Sequence, residues 1–310
     1  MVYLKICFTM DYSVIPKISG PIGIVCHDAG GANQVLALLK EIEQSAVLGY
    51  MEGPAKTIWK RKYSNATLSS SLLETLTKIN TLITGTGWAS DLEHNARQEA
   101  KRLGVHTIAV MDHWTNYLDR FIRDEQMILP DELWVVDNYA LVMARDIFPS
   151  LKIIQIPDSY SEEIVSQIRP IDLETPYELL YLLEPYRSNW GRQKLGEFQA
   201  LEYFIKLLPQ LELPKQLVVR LRPHPSDYQG KYDVYLNRTV FGYHIVQDEG
   251  DLASSLSQTR WVAGCQTYAM TLALKAGRVV FCTLPPWAPP CQLPHCGLVH
   301  LKDIQLNAVR

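Results

Sequence analysis

The sequence predicts an α/β protein of two domains, each a parallel sheet covered by helices on both faces, with the two sheets facing a central cleft. Three observations lead there. The 310 residues exceed an ordinary single domain. Continuous Val/Ile/Leu runs, the pattern of strands buried on both faces, alternate with segments of helical period. The alternation then restarts after a polar stretch interrupted by two prolines, SEEIVSQIRPIDLETP (161–176), where the interdomain link is expected. The domains are therefore expected at 1–165 and 166–310, both Rossmann-like.

In the first half, GPIGIVCHD (20–28) is an apolar run ending in the loop AGGAN, and QVLALLKEIEQ (34–44) has helical period. INTLITGTGW (79–88) is a second apolar run ending in glycines. The helix ASDLEHNARQEAKRLG (89–104) follows it, closed by Gly104. VHTIAVMDHW (105–114) and DELWVVDNYALVMARDIFP (131–149) repeat the pattern, and KIIQIPDSY (152–160) adds a short strand. In the second half, ELLYLLEPY (178–186), KQLVVRLRPHP (215–225), GYHIVQ (242–247), RWVAGCQ (260–266) and RVVFCTLP (278–285) read as strands. Helices are expected over 191–211, 251–258 and 267–277, the last ending at Gly277.

The composition, 47% hydrophobic and 20% charged, is that of a globular protein. A net charge of −3 argues against a dedicated nucleic-acid binder, which carries a strongly basic domain. The dense cationic patch KTIWKRK, with Lys56, Lys60, Arg61 and Lys62 around Trp59, reads as a solvated face. Its functional reading is contact with an anionic acceptor or peripheral association with a membrane surface. No apolar run approaches the roughly 20 residues of a spanning helix. The N-terminal MVYLKICFTMDYSVIP lacks a small-residue cleavage site, so a cytoplasmic protein is expected. Cys7, Cys26, Cys265, Cys282, Cys291 and Cys296 are then read as free thiols. Cys291, His295, Cys296 and His300 match no standard zinc spacing, so no metal is expected.

Ligands on open parallel sheets bind at the carboxyl ends of the strands. VVRLRPHPSD places Arg220, Arg222 and His224 on one strand face, converging at such an end as an anion site. Pro223 and Pro225 stiffen the turn and withhold backbone donors. VAGCQTYAMTLALKAG ends a strand at Gly264. Gln266 and Thr267 follow, and the start of an apolar helix offers free N–H groups and a positive dipole end to a phosphate. Gln266 or Thr267 is equally readable as the helix cap.

RPHPSD, then DLASSLSQTRWVAGCQTYAMTLALKAG, then RVVFC, resemble in order the donor half of bacterial GT-B glycosyltransferases that build capsule and lipopolysaccharide, of sialyltransferase-like or polyol-phosphate transferase-like type. The resemblance covers roughly residues 178–285. It implies a GT-B-like fold and donor-phosphate contacts from His224, Gln266 and Thr267, with a nucleotide sugar as substrate and no cofactor. The sialyltransferase-like acidic triplet upstream of HP has no counterpart: Asp248-Glu249-Gly250 lies downstream and does not inherit its role as base.

The first half offers the acid/base groups that transfer to a hydroxyl requires. HDAGGAN puts His27 and Asp28 at a strand end before a Gly30-Gly31 turn suited to close backbone approach. MDHWTNYLDRF places Asp112 and His113 likewise, near Trp114, Asn116, Tyr117 and Arg120, and TGTGWASDLE supplies Gly85, Gly87 and Trp88 with Asp91 and Glu93 on the next helix. Asp28 and Asp112 are the candidate bases, with His113 beside them; Gly30, Gly31, Gly87 and Trp88 are candidate binding residues. The glycines do not form the G-x-G-x-x-G fingerprint, which disfavours a nicotinamide cofactor. The expected function is a metal-independent glycosyltransferase moving a sugar from a nucleotide sugar to a glycan acceptor in surface-polysaccharide synthesis. The alternatives are a UDP-sugar epimerase of the same fold and a non-catalytic nucleotide-binding or assembly protein, the latter suggested by an abbreviated C-terminus.

Overall fold

The computed structural model describes residues 15–18, 20–41, 47–63, 68–87, 89–176, 178–185, 187–214 and 217–304. Cys7, Trp88 and Tyr186 lie outside the described residues. The chain divides into two compact units, Met1–Glu163 and Ile164–Arg310.

In the first unit, strands β1 (Ile22–Cys26), β2 (Val47–Met51), β3 (Thr81–Thr84), β4 (His106–Val110), β7 (Glu132–Val135) and β8 (Lys152–Gln155) form a parallel sheet in the order β2-β1-β3-β4-β7-β8. A short antiparallel pair, β5 (Ile122–Arg123) and β6 (Gln126–Met127), lies between β4 and β7 in the chain. The helices are α1 (Ala29–Leu38), α2 (Gly53–Lys62), α3 (Leu72–Leu76), α4 (Leu92–Arg102) and α5 (Asn138–Ile147), with α6 (Ser159–Val165) at the division between units. Ile22, Ile24 and Cys26 of β1 pack in one core cluster while Val25 packs in another. The strand is thus covered on both faces, which is why its sequence is an unbroken apolar run.

Helix α2 shows how local rules and burial agree. Proline sits in its first turn, Lys60, Arg61 and Lys62 complement its C-terminal dipole, and Ala55, Ile58 and Trp59 form the buried stripe. Trp59 is 1% exposed and lies against Gly49 of β2, where a Cβ would meet the indole at 2.7 Å. Trp59 is therefore core rather than part of the charged patch, and burying such a ring contributes about 2–3 kcal/mol. Gly104 follows α4 at φ +72° and Gly277 follows the last helix at φ +77°, both left-handed stops that suit glycine.

The second unit carries β9 (Glu178–Leu182), β10 (Val218–Arg222), β11 (Arg238–Val240), β12 (Tyr243–Gln247), β13 (Trp261–Gly264), β14 (Val279–Cys282) and β15 (Leu298–His300), in the order β11-β12-β10-β9-β13-β14-β15. All neighbours are parallel except β11 against β12. Its helices are α7 (Gly196–Leu207), α8 (Leu252–Ser257) and α9 (Tyr268–Lys275). In each unit the first strand is flanked by strands reached in opposite directions: β2 and β3 beside β1, β10 and β13 beside β9. Such switch points leave crevices at the carboxyl ends of the strands.

Candidate functional site

In the first unit the strand order puts the switch point at the ends of β1 and β3. Asp28 is the N-cap residue of α1, yet its side chain makes no capping bond; its Oδ1 lies 2.7 Å from His27 Nδ1. The two side chains are 22% and 24% exposed, so this pair is reachable from solvent. A carboxylate bonded to one ring nitrogen sets the tautomer and leaves the other for proton transfer, the geometry of a general base with its orienting group. His27 is also fixed through its backbone, whose N–H donates to Glu93 Oε1 at 2.9 Å. Glu93, in the first turn of α4, is fully buried. Its Oε2 has no hydrogen-bond partner among the described residues, and burial holds its carboxyl above the usual range.

The glycines in this crevice bring protein groups together. Gly30 and Gly31 belong to the first turn of α1 rather than to a turn before it, which corrects the expected loop. A Cβ on Gly30 would meet Asp112 Oδ2 at 2.2 Å, one on Gly31 would meet Gly85 Cα at 3.0 Å, and one on Gly87 would meet Asp28 Oδ2 at 2.4 Å. The Asp112 carboxylate therefore occupies the space over the α1 N-terminus, where the dipole favours it.

Asp112 Oδ1 accepts from Arg120 Nη1 at 2.6 Å, and that guanidinium, 7% exposed, also bonds the Thr86 and Thr115 carbonyls. The Asp112 carboxylate is thus ion-paired within the fold. His113 is half-buried, its Nδ1 accepting from the Trp114 backbone N–H at 3.0 Å. Beneath the crevice, the buried Arg97 guanidinium bonds Thr84 Oγ1 and the carbonyls of Gly85, Arg120 and Ile128, and burial lowers its pKa to about 10.

In the second unit Arg220 and Arg222 share a face of β10 as expected, but they do not form an open cationic cluster. Arg220 makes a two-pronged ion pair with Glu178 of β9, at 2.5 and 3.0 Å. Arg222 bonds the buried Asp248 at 2.6 Å and the Gly250 carbonyl. The register of β10 against its neighbours brings a carboxylate to each arginine, so both guanidinium charges are compensated within the fold.

His224 does reach the strand end. Its turn is closed reciprocally: His224 N–H donates to Asp227 Oδ2 and Asp227 N–H to the His224 carbonyl, both at 2.8 Å. Pro225 is exposed in that turn, and burial depresses the His224 pKa. Gly264 ends β13, where a Cβ would meet the Leu182 carbonyl oxygen and Met270 Sδ at 3.1 Å. Thr267 is the N-cap residue of α9, but its hydroxyl makes no cap bond. Gln266 donates its N–H to Glu184 Oε1 at 2.8 Å.

Glu184 belongs to a network the sequence reading did not single out. It pairs with Arg187, whose N–H donates to Glu197 Oε2 at 2.8 Å. Lys231 bridges Glu197 and Asp227 at 3.2 and 2.8 Å and donates to the Pro185 carbonyl. The HP turn and the turn before α9 are thereby joined to one set of ion pairs at the ends of β9 and β10. Arg187 Nε is buried with no hydrogen-bond partner among the described residues. The available signal was the charge-bearing EPYR directly after an apolar strand. On α2, Lys56, Lys60 and Arg61 are exposed, whereas Lys62 is tied to Glu163 at 3.0 Å. Among the described residues no group of three or more metal-ligating side chains is found, and no helix is long and apolar enough to cross a membrane.

Both units are Rossmann-like, and the chain has the GT-B fold. No protein-family model matches it, and no curated protein matches it significantly in sequence. Solved structures do match in fold. They include a putative UDP-N-acetylglucosamine 2-epimerase from Listeria monocytogenes, at TM-score 0.59 and 9% identity over 85% of this chain and 79% of that one. MurG from Acinetobacter baumannii matches at TM-score 0.51 and 13% identity, over 84% and 78%. Anabaena Alr3699/HepE in complex with UDP-glucose matches at TM-score 0.51 and 10% identity, over 84% and 80%.

Proposed function

We propose that the protein is a glycosyltransferase that uses a nucleotide sugar. The observation that carries this reading is the His27–Asp28 pair, 2.7 Å apart and solvent-reachable at a strand end of the first unit. In the proposal His27 takes the proton from the acceptor hydroxyl as the glycosidic bond forms, and Asp28 steadies the imidazolium that results. The second unit holds the donor. The start of α9 at Thr267, which no side chain caps, together with His224 and Arg187, stabilises the phosphate charge that grows as the nucleotide leaves. Arg220 and Arg222 support the strand rather than the phosphates. The neighbour solved with UDP-glucose makes a UDP-linked donor the first to try. The HP turn followed by the α8–β13–α9 order supports a role in surface-polysaccharide assembly.

A second reading, a UDP-sugar epimerase, is favoured by the cluster of carboxyl groups at the first unit's strand ends. Asp28, Glu93 and Asp112 all act electrostatically on the buried Cys26 thiol, and epimerisation needs several acid/base groups. One experiment separates the readings. The protein is incubated with a panel of labelled nucleotide sugars, with and without hydroxyl acceptors. Transfer that requires both an acceptor and His27 supports the transferase. Epimerised sugar formed without an acceptor replaces it with the epimerase, and nucleotide binding without turnover replaces both with a binding protein.

A further inference from the structure

Cys282 is the last residue of β14, in register with Gly264 of β13. Its Sγ donates to the Cys265 carbonyl at 3.1 Å, and Cys291 Sγ lies 3.8 Å from the same oxygen. The two sulfurs thus converge on one carbonyl oxygen, and their mutual influence lowers the Cys291 thiol pKa and raises that of Cys282. Cys282 is 1% exposed whereas Cys291 is half-buried, so a reagent in solvent reaches Cys291 first. Cys265 is a bystander: it is buried, and burial pushes its thiol up.

Cys291 lies in the proline-rich segment 285–297, which side-chain hydrogen bonds tie to α7 and to the turn before α9. Gln292 N–H donates to Gln266 Oε1 at 3.0 Å, and Trp287 Nε1 donates to Gln199 Oε1 at 2.7 Å, with Arg192 stacked 3.8 Å over the Trp287 ring.

We propose that Cys282 and Cys291 are a reversible redox modification site, whose disulfide fastens the 285–297 segment to the end of β14, beside the Cys265–Gln266 turn before α9. The oxidant is a small-molecule disulfide. The Cys291 thiolate attacks one of its sulfurs, forming a mixed disulfide and expelling one small thiolate. Cys282 then gives up its proton to solvent and attacks Cys291 Sγ, expelling the second. The protein loses two thiol protons and two electrons, and the oxidant becomes two thiols. The site stands independently of the donor reading for the same turn.

The test treats the folded full-length chain with oxidised glutathione, alkylates the remaining thiols and maps the peptides by mass spectrometry. The expected result is loss of two alkylatable thiols from the six, linkage of the Cys282 and Cys291 peptides, and full return with dithiothreitol. Cys291→Ser abolishes the linkage and Cys296→Ser leaves it intact, both with unchanged circular dichroism. Amide exchange across 285–297 slows in the oxidised form. Six alkylatable thiols after treatment, a Cys291–Cys296 linkage, or the same thiol loss in Cys291→Ser overturns the proposal.

Discussion

Nδ1 of His27 lies 2.7 Å from Oδ1 of Asp28, a neighbour in the chain, and the pair is held from below by the Glu93 carboxyl on the His27 N–H. Under the proposed function this fixes which member moves the proton. His27→Ala removes the base and is expected to lower kcat/KM by about 10²–10⁴-fold, the usual contribution of a positioned base. Asp28→Asn keeps the shape but loses the charge that steadies the imidazolium, and is expected to lower kcat with little change in KM. Steady-state transfer from the accepted donor checks both. A fully active His27→Ala enzyme would place the base elsewhere.

The second unit yields a contrast between neighbours on one strand. His224→Ala is expected to weaken nucleotide binding by about 1–3 kcal/mol, the loss of a hydrogen bond to a charged group, with thermal stability nearly unchanged. Arg222→Ala is expected to do the reverse. It leaves the buried Asp248 without its cation, and because Arg222 is itself 25% exposed the expected loss is about 1–3 kcal/mol of stability. Calorimetric titration with UDP and denaturant melts of both variants read the two quantities separately. Equal losses of affinity would return Arg222 to the phosphate site.

Strands buried on both sides are legible in sequence because both alternating sets of side chains are apolar, as with Ile24 and Val25 of β1 in separate clusters. Edge strands are less so. β2, VLGYM, is buried only at alternate positions and contains Gly49, while β11 and β15 are three residues each. The site divides the same way. The loops after β1, β10 and β13 follow from where apolar runs stop. Partner choice does not: Glu178 is 42 positions from Arg220 and Asp248 is 26 from Arg222, so strand register alone decides whether those cations are free. Trp59 carries the same lesson, since its charged sequence neighbours conceal a helix stripe that buries it.

Glu93 predicts a pH dependence. Its folded pKa is raised from the ordinary 4.5, chiefly by burial. Between 4.5 and the folded value the native state keeps the proton while the unfolded chain has released it. The stability contribution is therefore complete below about 4.5 and is lost as pH rises through the folded pKa. Glu93→Gln retains an oxygen for the His27 N–H and removes the titration. Its melting temperature is expected to decline less with rising pH than that of the wild type. Parallel slopes from pH 4 to 8 would show that Glu93 does not titrate anomalously.

Gly30 and Asp112 give a double-mutant test of the packing over α1. An added Cβ at position 30 would lie 2.2 Å from Asp112 Oδ2, and Asp112 cannot yield freely because Arg120 holds its other oxygen at 2.6 Å. Gly30→Ala favours helix by about 1 kcal/mol in isolation. Here it is expected to destabilise by about 1–3 kcal/mol, the usual penalty of overpacking, because the carboxylate must leave either the helix start or the guanidinium. In the Asp112→Ala background the obstruction is gone, so the same glycine substitution is expected to become neutral or stabilising. A coupling energy of at least about 1 kcal/mol from urea melts of the four proteins would establish the contact. Strict additivity would show that the Asp112 carboxylate does not stand over Gly30 in solution.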